Sequence, residues 1–185
     1  MKPCWWLDPD PGKVFHDAKT EHETPYYVWD RLFMRIAREI SKMSKCASRQ
    51  IGAIAVRDRQ ILSMGFNGSP AGSHLCQHPR ALYPKNDYKC PRRILGFKSG
   101  EGIEFCPAAH AEANCVNNAA KTGTSLRGAT LYCYCGMPCQ KCAGALINSG
   151  ITEIVCLVGD EYDTLAQLLF KEAKVTVHTV AEDVL

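Results

Sequence analysis

Two short segments of this chain hold residue types that do chemistry: His110-Ala111-Glu112 and Pro138-Cys139-Gln140-Lys141-Cys142. Cys139 and Cys142 are three apart, the spacing that brings two side chains to one face of a helix. In a first helical turn, unpaired N–H groups and the helix dipole favour thiolate over thiol. Two thiolates on one rigid turn make half of a tetrahedral zinc site, and the imidazole of His110, opening another helix, supplies a third ligand. Three protein ligands leave a fourth position for water, the mark of a catalytic rather than a structural zinc. Zinc lowers the pKa of such a water to roughly 7. Glu112, a carboxylate not needed as a ligand, is then the natural carrier of protons. Its separation from His110 does not suit one face of a regular helix, but at a first turn both side chains can flank the same cavity.

A lone C-x-x-C is a weak signal and a lone H-x-E a weaker one. Here Pro138 follows Glu112 by 26 residues, and each motif heads a predicted helix. In that order they form the signature of zinc-dependent nucleobase deaminases. On this reading water attacks ring carbon 4 of a cytosine while Glu112 passes its proton to ring nitrogen 3 and later to departing ammonia. Two other readings use the same residues. A structural zinc knuckle would want a fourth protein ligand, and a redox C-x-x-C would have no use for the H-x-E.

The elements that must position these residues are legible in outline. Thr24-Pro25 is a capping hydroxyl followed by proline at the first helical position. Trp29, Leu32, Phe33, Ile36, Ile40 and Met43 then fall at helical spacing, predicting one apolar face through about Met43. Ile51 to Val56 and Gln60 to Gly65 read as a hairpin around Arg57-Asp58-Arg59. From Gly72 to Cys106 no period survives, and so long a structureless loop in a compact domain is expected to be functional or stapled. Helices are predicted from His110 to Lys121, Pro138 to Ser149 and Asp163 to Ala173, with strands near Ala129 to Cys135, Glu153 to Val158 and Val175 to Val180. The order strand, helix, strand, helix, strand predicts parallel strands with crossover helices, hence an α/β fold whose first hairpin is antiparallel.

Composition sets the outer bounds. A chain of 185 residues, 46% hydrophobic and 22% charged, suits one globular domain of ordinary size. No stretch reaches the roughly 18 apolar residues of a membrane helix. Near the start, Trp5, Trp6 and Leu7 are broken up by Pro3, Asp8 and Pro9, so no signal peptide is expected. A net charge of +3 with scattered cations does not call for a nucleic-acid partner. The densest basic cluster, Lys85, Lys89, Arg92, Arg93 and Lys98, reads as a solvated loop surface or else as an attractor of phosphates. Eleven cysteines without a secretion signal point to metal rather than to disulfides, and to a cytoplasmic protein.

With these residues in view, the chain from about 26 to 180 resembles the deoxycytidylate (dCMP) deaminase family. The likeness extends beyond the zinc motifs to Cys46-Ala47-Ser48-Arg49-Gln50-Ile51-Gly52-Ala53, to Gly65-Phe66-Asn67-Gly68-Ser69-Pro70-Ala71-Gly72, to Asn114, and to Cys142-Ala143 and Ser149-Gly150-Ile151. The resemblance implies a three-layer α-β-α fold, cytidine deaminase-like, with a five-stranded mixed sheet flanked by helices. Residues 26–185 would form the catalytic domain, with an insertion at about 72–106, preceded by an irregular extension over 1–25. Implied zinc ligands are His110, Cys139 and Cys142, with Glu112 as proton shuttle. Substrate contacts are implied at Asn67, Ser48, Arg49 and Ala111, and effector contacts at Gly65, Phe66 and Gly68. The implied reaction converts dCMP, or a 5-substituted dCMP, to the uridylate and ammonia on the route to dTMP. The family also implies a homohexamer, activated by dCTP and inhibited by dTTP. For Asn67 a plain turn role stands beside the substrate one, since Asn-Gly is a common turn pair. For Arg49 the alternative is an exposed cation before a strand.

Two departures from the family pattern matter. Five residues rather than four lie between Tyr132 and Pro138, which predicts a bulge in Cys133-Tyr134-Cys135-Gly136-Met137. Phe66 replaces the usual tyrosine, removing a hydroxyl from a loop used for regulation. Cys46, Cys76, Cys90 and Cys106 surround the irregular loop, and the resemblance implies a second, structural zinc there, with ligands matching Cys46 and Cys76. A closed four-ligand zinc contributes folding energy directly and would order such a loop. His74 or His78 is the alternative fourth ligand, and unliganded thiols the plain reading. Cys4, Cys115, Cys133, Cys135 and Cys156 read as small core or surface residues, and His16, His22 and His178 as surface groups. Other activities use the same core motifs. A tRNA-adenosine-type nucleic-acid deaminase shares them, and Cys142-Ala143-Gly144-Ala145-Leu146 is similar to that group. A dCTP deaminase activity and a catalytically silent zinc-binding scaffold are the remaining alternatives.

Overall fold

The structure is a computed structural model, and it describes residues 15–17, 25–46, 48–73, 75–76, 90–98, 100–159 and 163–185. Cys4, His22, His74, His78, Lys85 and Lys89 lie outside the described residues. In chain order the elements are β1 (Phe15–Asp17), α1 (Pro25–Ser41), β2 (Gly52–Arg57), β3 (Gln60–Phe66), α2 (Pro91–Ile94), a 3₁₀ turn (Ile103–Phe105), α3 (Ala111–Thr122), β4 (Thr130–Cys133), α4 (Gln140–Asn148), β5 (Glu153–Leu157), α5 (Thr164–Glu172), β6 (Thr176–Val180) and a last 3₁₀ turn (Glu182–Val184).

The sheet runs in the order β1-β6-β5-β4-β2-β3. β4, β5 and β6 are parallel, and β2 is antiparallel to both β3 and β4. These are the five strands the sequence predicts. A sixth, the three-residue β1, adds parallel to β6 from within the segment read as irregular, its Phe15 opposite Val177. The hairpin closes on two residues, Asp58 and Arg59, with φ of 51° and 61°. Two successive left-handed residues are the turn that matches the twist of flanking strands.

Helices cover both faces. On one side, α3, α4 and α5 enclose Ala53, Ala55, Leu131, Cys133, Ile154, Cys156, Leu146, Phe170 and Val177. On the other, α1 packs Phe33, Met34 and Ala37 onto Ile54, Val56, Tyr132 and Val155. β2 lies between both layers, which is why its residues are buried without alternation. The buried face of α1 differs from the predicted one: Leu32 and Met43 are exposed, while Met34 and Ala37 are fully buried. The cause is Gly52. A Cβ there would come within 2.2 Å of the Ala37 carbonyl oxygen and 2.5 Å of the Ser41 amide nitrogen, so the helix backbone rests on the strand and sets its own rotation.

The other side has a matching contact. A Cβ on Gly65 would meet the Ala111 carbonyl oxygen at 2.3 Å and the Cys115 amide nitrogen at 2.4 Å. Around it, Ser63 Oγ donates to the Cys115 carbonyl at 2.7 Å, and the amides of Asn114 and Asn118 donate to the carbonyls of Phe66 and Met64, each at 2.8 Å. The first turns of α3 are thus fixed to β3 by backbone contact and by side-chain hydrogen bonds. The loop predicted without structure between Gly72 and Cys106 contains α2 and the first 3₁₀ turn, both too short to leave a period in the sequence. Replacing Gly65 or Gly52 by alanine forces backbone apart from backbone. Each variant is expected to lose about 1–3 kcal/mol of stability, the usual cost of overpacking, read as a lower thermal midpoint. An unchanged midpoint would contradict this close packing.

Candidate active site

The site forms where α3 and α4 begin side by side. His110 is the residue before α3, in extended backbone with φ −73° and ψ 157°, and Cys139 holds the same place before α4, with φ −70° and ψ 165°. At such positions a side chain normally folds back to cap its helix. Neither does so here. Both instead turn toward each other. His110 Nδ1 lies 3.5 Å from Cys139 Sγ and 3.4 Å from Cys142 Sγ, and the three donor atoms all lie within 4.8 Å of one another. The sequence reading put Cys139 inside the first turn; it stands one residue earlier, with Gln140 as the first helical residue. Because His110 is outside α3, Glu112 can sit inside its first turn and still share the cavity, which removes the difficulty of their two-residue spacing.

The electrostatics suit a cation. Cys139 is pulled well below the usual thiol range by hydrogen bonds from Cys142 and His110, and Cys142 is held protonated by its neighbouring thiolate. His110 is raised by its hydrogen bond to Cys139. The three groups thus hold protons among themselves that a metal ion would replace. Glu112 is 4% exposed, and burial pushes its carboxyl up. Its Oε2 has no hydrogen-bond partner, the one such buried side-chain atom among the described residues. A buried carboxylate oxygen left unpaired costs free energy unless a ligand or water completes it. One imidazole and two thiols, with an acid oxygen left over beside them, are a donor set that would hold zinc and leave Glu112 for proton transfer.

The other predicted residues fall in several places. Asn67 is buried, and its side chain clamps the preceding loop: Oδ1 accepts from Ile51 N–H and Nδ2 donates to the Arg49 carbonyl, both at 2.9 Å. One amide N–H remains for any substrate. Gly68 and Ala109 exchange backbone hydrogen bonds of 3.1 and 2.9 Å, tying this loop to the residue before His110. Ala111 is buried in the core cluster under the sheet. Gly65 is the packing contact described above, and Phe66 is part-exposed on the edge strand. Cys46, Cys76, Cys90 and Cys106 gather in one region: burial pushes the Cys76 thiol up to about 11, with Cys106, Cys46 and Cys90 adding to the shift. They are not drawn within the spacing that joins His110, Cys139 and Cys142.

The extra residue before Pro138, where a bulge is expected, is absorbed as a tight turn at Tyr134: Cys135 N–H bonds the Cys133 carbonyl at 2.8 Å before Leu157 N–H bonds that of Cys135. Two features were missed from the sequence. Cys135, read as a core or surface thiol, is brought near enough to Glu112 and Cys139 to feel their charge. The second is that Asp163 caps two helices at once: Oδ1 accepts from Ala166 N–H of its own helix at 3.0 Å, and Oδ2 from Gln140 N–H of α4 at 2.7 Å. An N-cap aspartate before α5 is visible in sequence; its second, long-range partner is not.

A mixed sheet sandwiched by helices, offering this donor set beside a spare buried acid, suits metal-assisted hydrolysis. The chain belongs to the cytidine and deoxycytidylate deaminase family, whose zinc-binding region matches residues 27–158. It is 35% identical over 132 residues to a deoxycytidylate deaminase of Mycobacterium phage D29, covering 69% of this chain and 92% of that one. It is 30% identical over 147 residues to a deoxycytidylate deaminase of Schizosaccharomyces pombe, covering 80% of this chain but 42% of the yeast protein. The fold matches that of a dCMP deaminase from cyanophage S-TIM5, solved with dCMP and dUMP, at a TM-score of 0.61, 24% identity, and coverage of 86% of this chain and 100% of that one.

Asp163→Ala removes both caps. It is expected to lose about 0.5–2 kcal/mol per cap and to hold zinc less tightly in competition with a chelator, with Asp163→Asn intermediate. Zinc affinity unchanged in the alanine variant would show that the α4 cap does not help to place Cys139 and Cys142.

Proposed function

We propose that the protein hydrolyses the exocyclic amino group of the cytosine of deoxycytidylate, giving dUMP and ammonia. The observation that carries this reading is Glu112: a buried carboxyl with an unpartnered oxygen, beside a His/Cys/Cys donor set. His110, Cys139 and Cys142 hold the zinc, and the bound ion supplies a water acidic enough to act near neutral pH. Glu112 does the proton work. Burial keeps its carboxyl nearer neutrality than an exposed acid, as a group that must both take and give a proton requires. It accepts one proton of the attacking water and delivers it to ring nitrogen 3, then takes the remaining proton from the hydroxyl added at carbon 4 and passes it to the amino group, which leaves as ammonia while the carbonyl forms. Ser48, Arg49, Asn67 and Ala111 bound the substrate space. A mononucleotide, in line with the names of the phage and yeast relatives, is preferred over polynucleotides, since the chain carries only +3 net charge.

Further parts of the reading follow the family. Residues 26–185 form the catalytic unit, working in the cytoplasm in the supply of dTMP; no described helix is long and apolar enough to cross a membrane. The enzyme is a homohexamer with activation by dCTP and inhibition by dTTP, through the loop at Gly65, Phe66 and Gly68. A second zinc, bound by Cys46, Cys76, Cys90 and Cys106, staples the loop that carries α2.

Ammonia release is measured with dCMP, dCTP, 5-methyl-dCMP, deoxycytidine and a tRNA anticodon hairpin, with and without dCTP and dTTP. Turnover of a monophosphate is expected, with loss of about 10²-fold or more in Glu112→Ala while zinc content and thermal midpoint persist. Activity confined to the hairpin, or full activity in the alanine variant, would sink the reading. Elemental analysis is expected to find two zinc ions per chain, with one lost on replacing Cys76 and Cys90 together by serine; one zinc per chain at full activity would rule out the second site.

A further inference from the structure

A hydroxyl and two cations from two parts of the chain come together next to the loop that leads to His110. Ser48 and Arg49 lie in the segment clamped by Asn67, and Gly68, beside Asn67, exchanges backbone bonds with Ala109, the residue before His110. The third comes from the irregular loop: Arg93 Nη2 reaches Ser48 Oγ at 3.4 Å, across 45 positions of sequence. Arg93 is exposed, yet the helix that carries it is held in place. Its neighbour Arg92 is 6% exposed and donates to the Glu101 carbonyl at 2.6 Å and the Lys98 carbonyl at 2.8 Å, while Phe97 N–H returns a bond to the Arg92 carbonyl at 2.9 Å. Among the described residues neither arginine has a carboxylate within salt-bridge distance. Glu101 turns its carboxylate to the Lys98 N–H, so among the described residues Arg93 has no acid to compete with an incoming anion.

We propose that Arg93 reads the 5′-phosphate of the substrate, completing a clamp with Ser48 and Arg49 and setting the preference for a nucleotide over a nucleoside. The inference rests on the mononucleotide reading above and adds a specificity-determining residue to it. A phosphate monoester offers several strong acceptor oxygens, which a planar guanidinium meets with two parallel N–H bonds. The long, weak contact to Ser48 Oγ is then exchanged for charge-assisted bonds when the phosphate enters between them. The basic loop residues therefore divide: Arg92 is structural, locking the loop to itself, and Arg93 faces the ligand.

The test uses binding, so that it does not depend on turnover. Calorimetric titration of zinc-replete full-length protein with dUMP and with deoxyuridine gives the contribution of the phosphate. In Arg93→Ala the affinity for dUMP is expected to fall about 10- to 100-fold, the range for a hydrogen bond to a charged group. Deoxyuridine is expected to lose far less, and Arg93→Lys to recover part of the loss. Equal weakening of both ligands would mean a structural role, and unchanged dUMP affinity would mean none; either overturns the proposal. Should the native enzyme fail to turn over dCMP, the deaminase reading falls, while the difference between dUMP and deoxyuridine still decides the role of Arg93.

Discussion

Everything in this molecule is arranged around two helix starts that must lie side by side with their side chains turned away from their own helices. His110 and Cys139 occupy positions where a residue ordinarily satisfies its helix's free N–H groups, and both give up that role. The loss is made good from outside. For α4, the Asp163 carboxylate takes the Gln140 N–H. For α3, the first turn is pressed against Gly65 and stapled through Asn114 and Ser63. The sheet makes the juxtaposition possible: β2 and β4 are neighbours, so the helices that follow the hairpin loop and β4 begin on the same side and at adjacent strands. A donor set assembled this way is positioned by backbone rather than by flexible loops, which is what precise metal and proton chemistry requires.

Much of this was legible in the sequence, and the reason is locality. The three-residue step between Cys139 and Cys142, the adjacency of His110 and Glu112, and proline or glycine at element ends are all local facts, and the geometry of a helix turns them into positions in space. The strand–helix alternation after Thr130 likewise fixed the parallel part of the sheet. What escaped the reading depends on partners far away in the chain. Nothing near Asp163 signals that its second oxygen reaches α4, and nothing in Arg93 itself distinguishes it from Arg92, which is buried and bonded to two carbonyls of its own loop. The rotation of α1 was misjudged for the same cause. Leu32 and Met43 fit the helical period, but contact with Gly52 decides which side goes down.

Asn67 shows how a local signal can be right about position and incomplete about role. Asn-Gly marks a turn, and a turn is found. Yet its amide is also the clasp that holds Arg49 and Ile51 in place, so the loop that borders the site has the rigidity of buried structure. The described residues from Cys90 to Phe105 gain order in a comparable way, from a buried arginine rather than from a core of their own.

The asparagines of α3 have a consequence at the margin of the molecule. β3 is an edge strand, and an edge with free carbonyls invites another chain to add as a further strand. Here the Phe66 and Met64 carbonyls are already occupied by Asn114 and Asn118, while the side chains of the same two residues stand 39% and 51% exposed. Two acceptors that an added strand would use are thus taken, while the side chains stay open to packing. Self-association along this edge would be a reversible matter of apolar faces, protected from the runaway ladder growth that unguarded sheet edges permit.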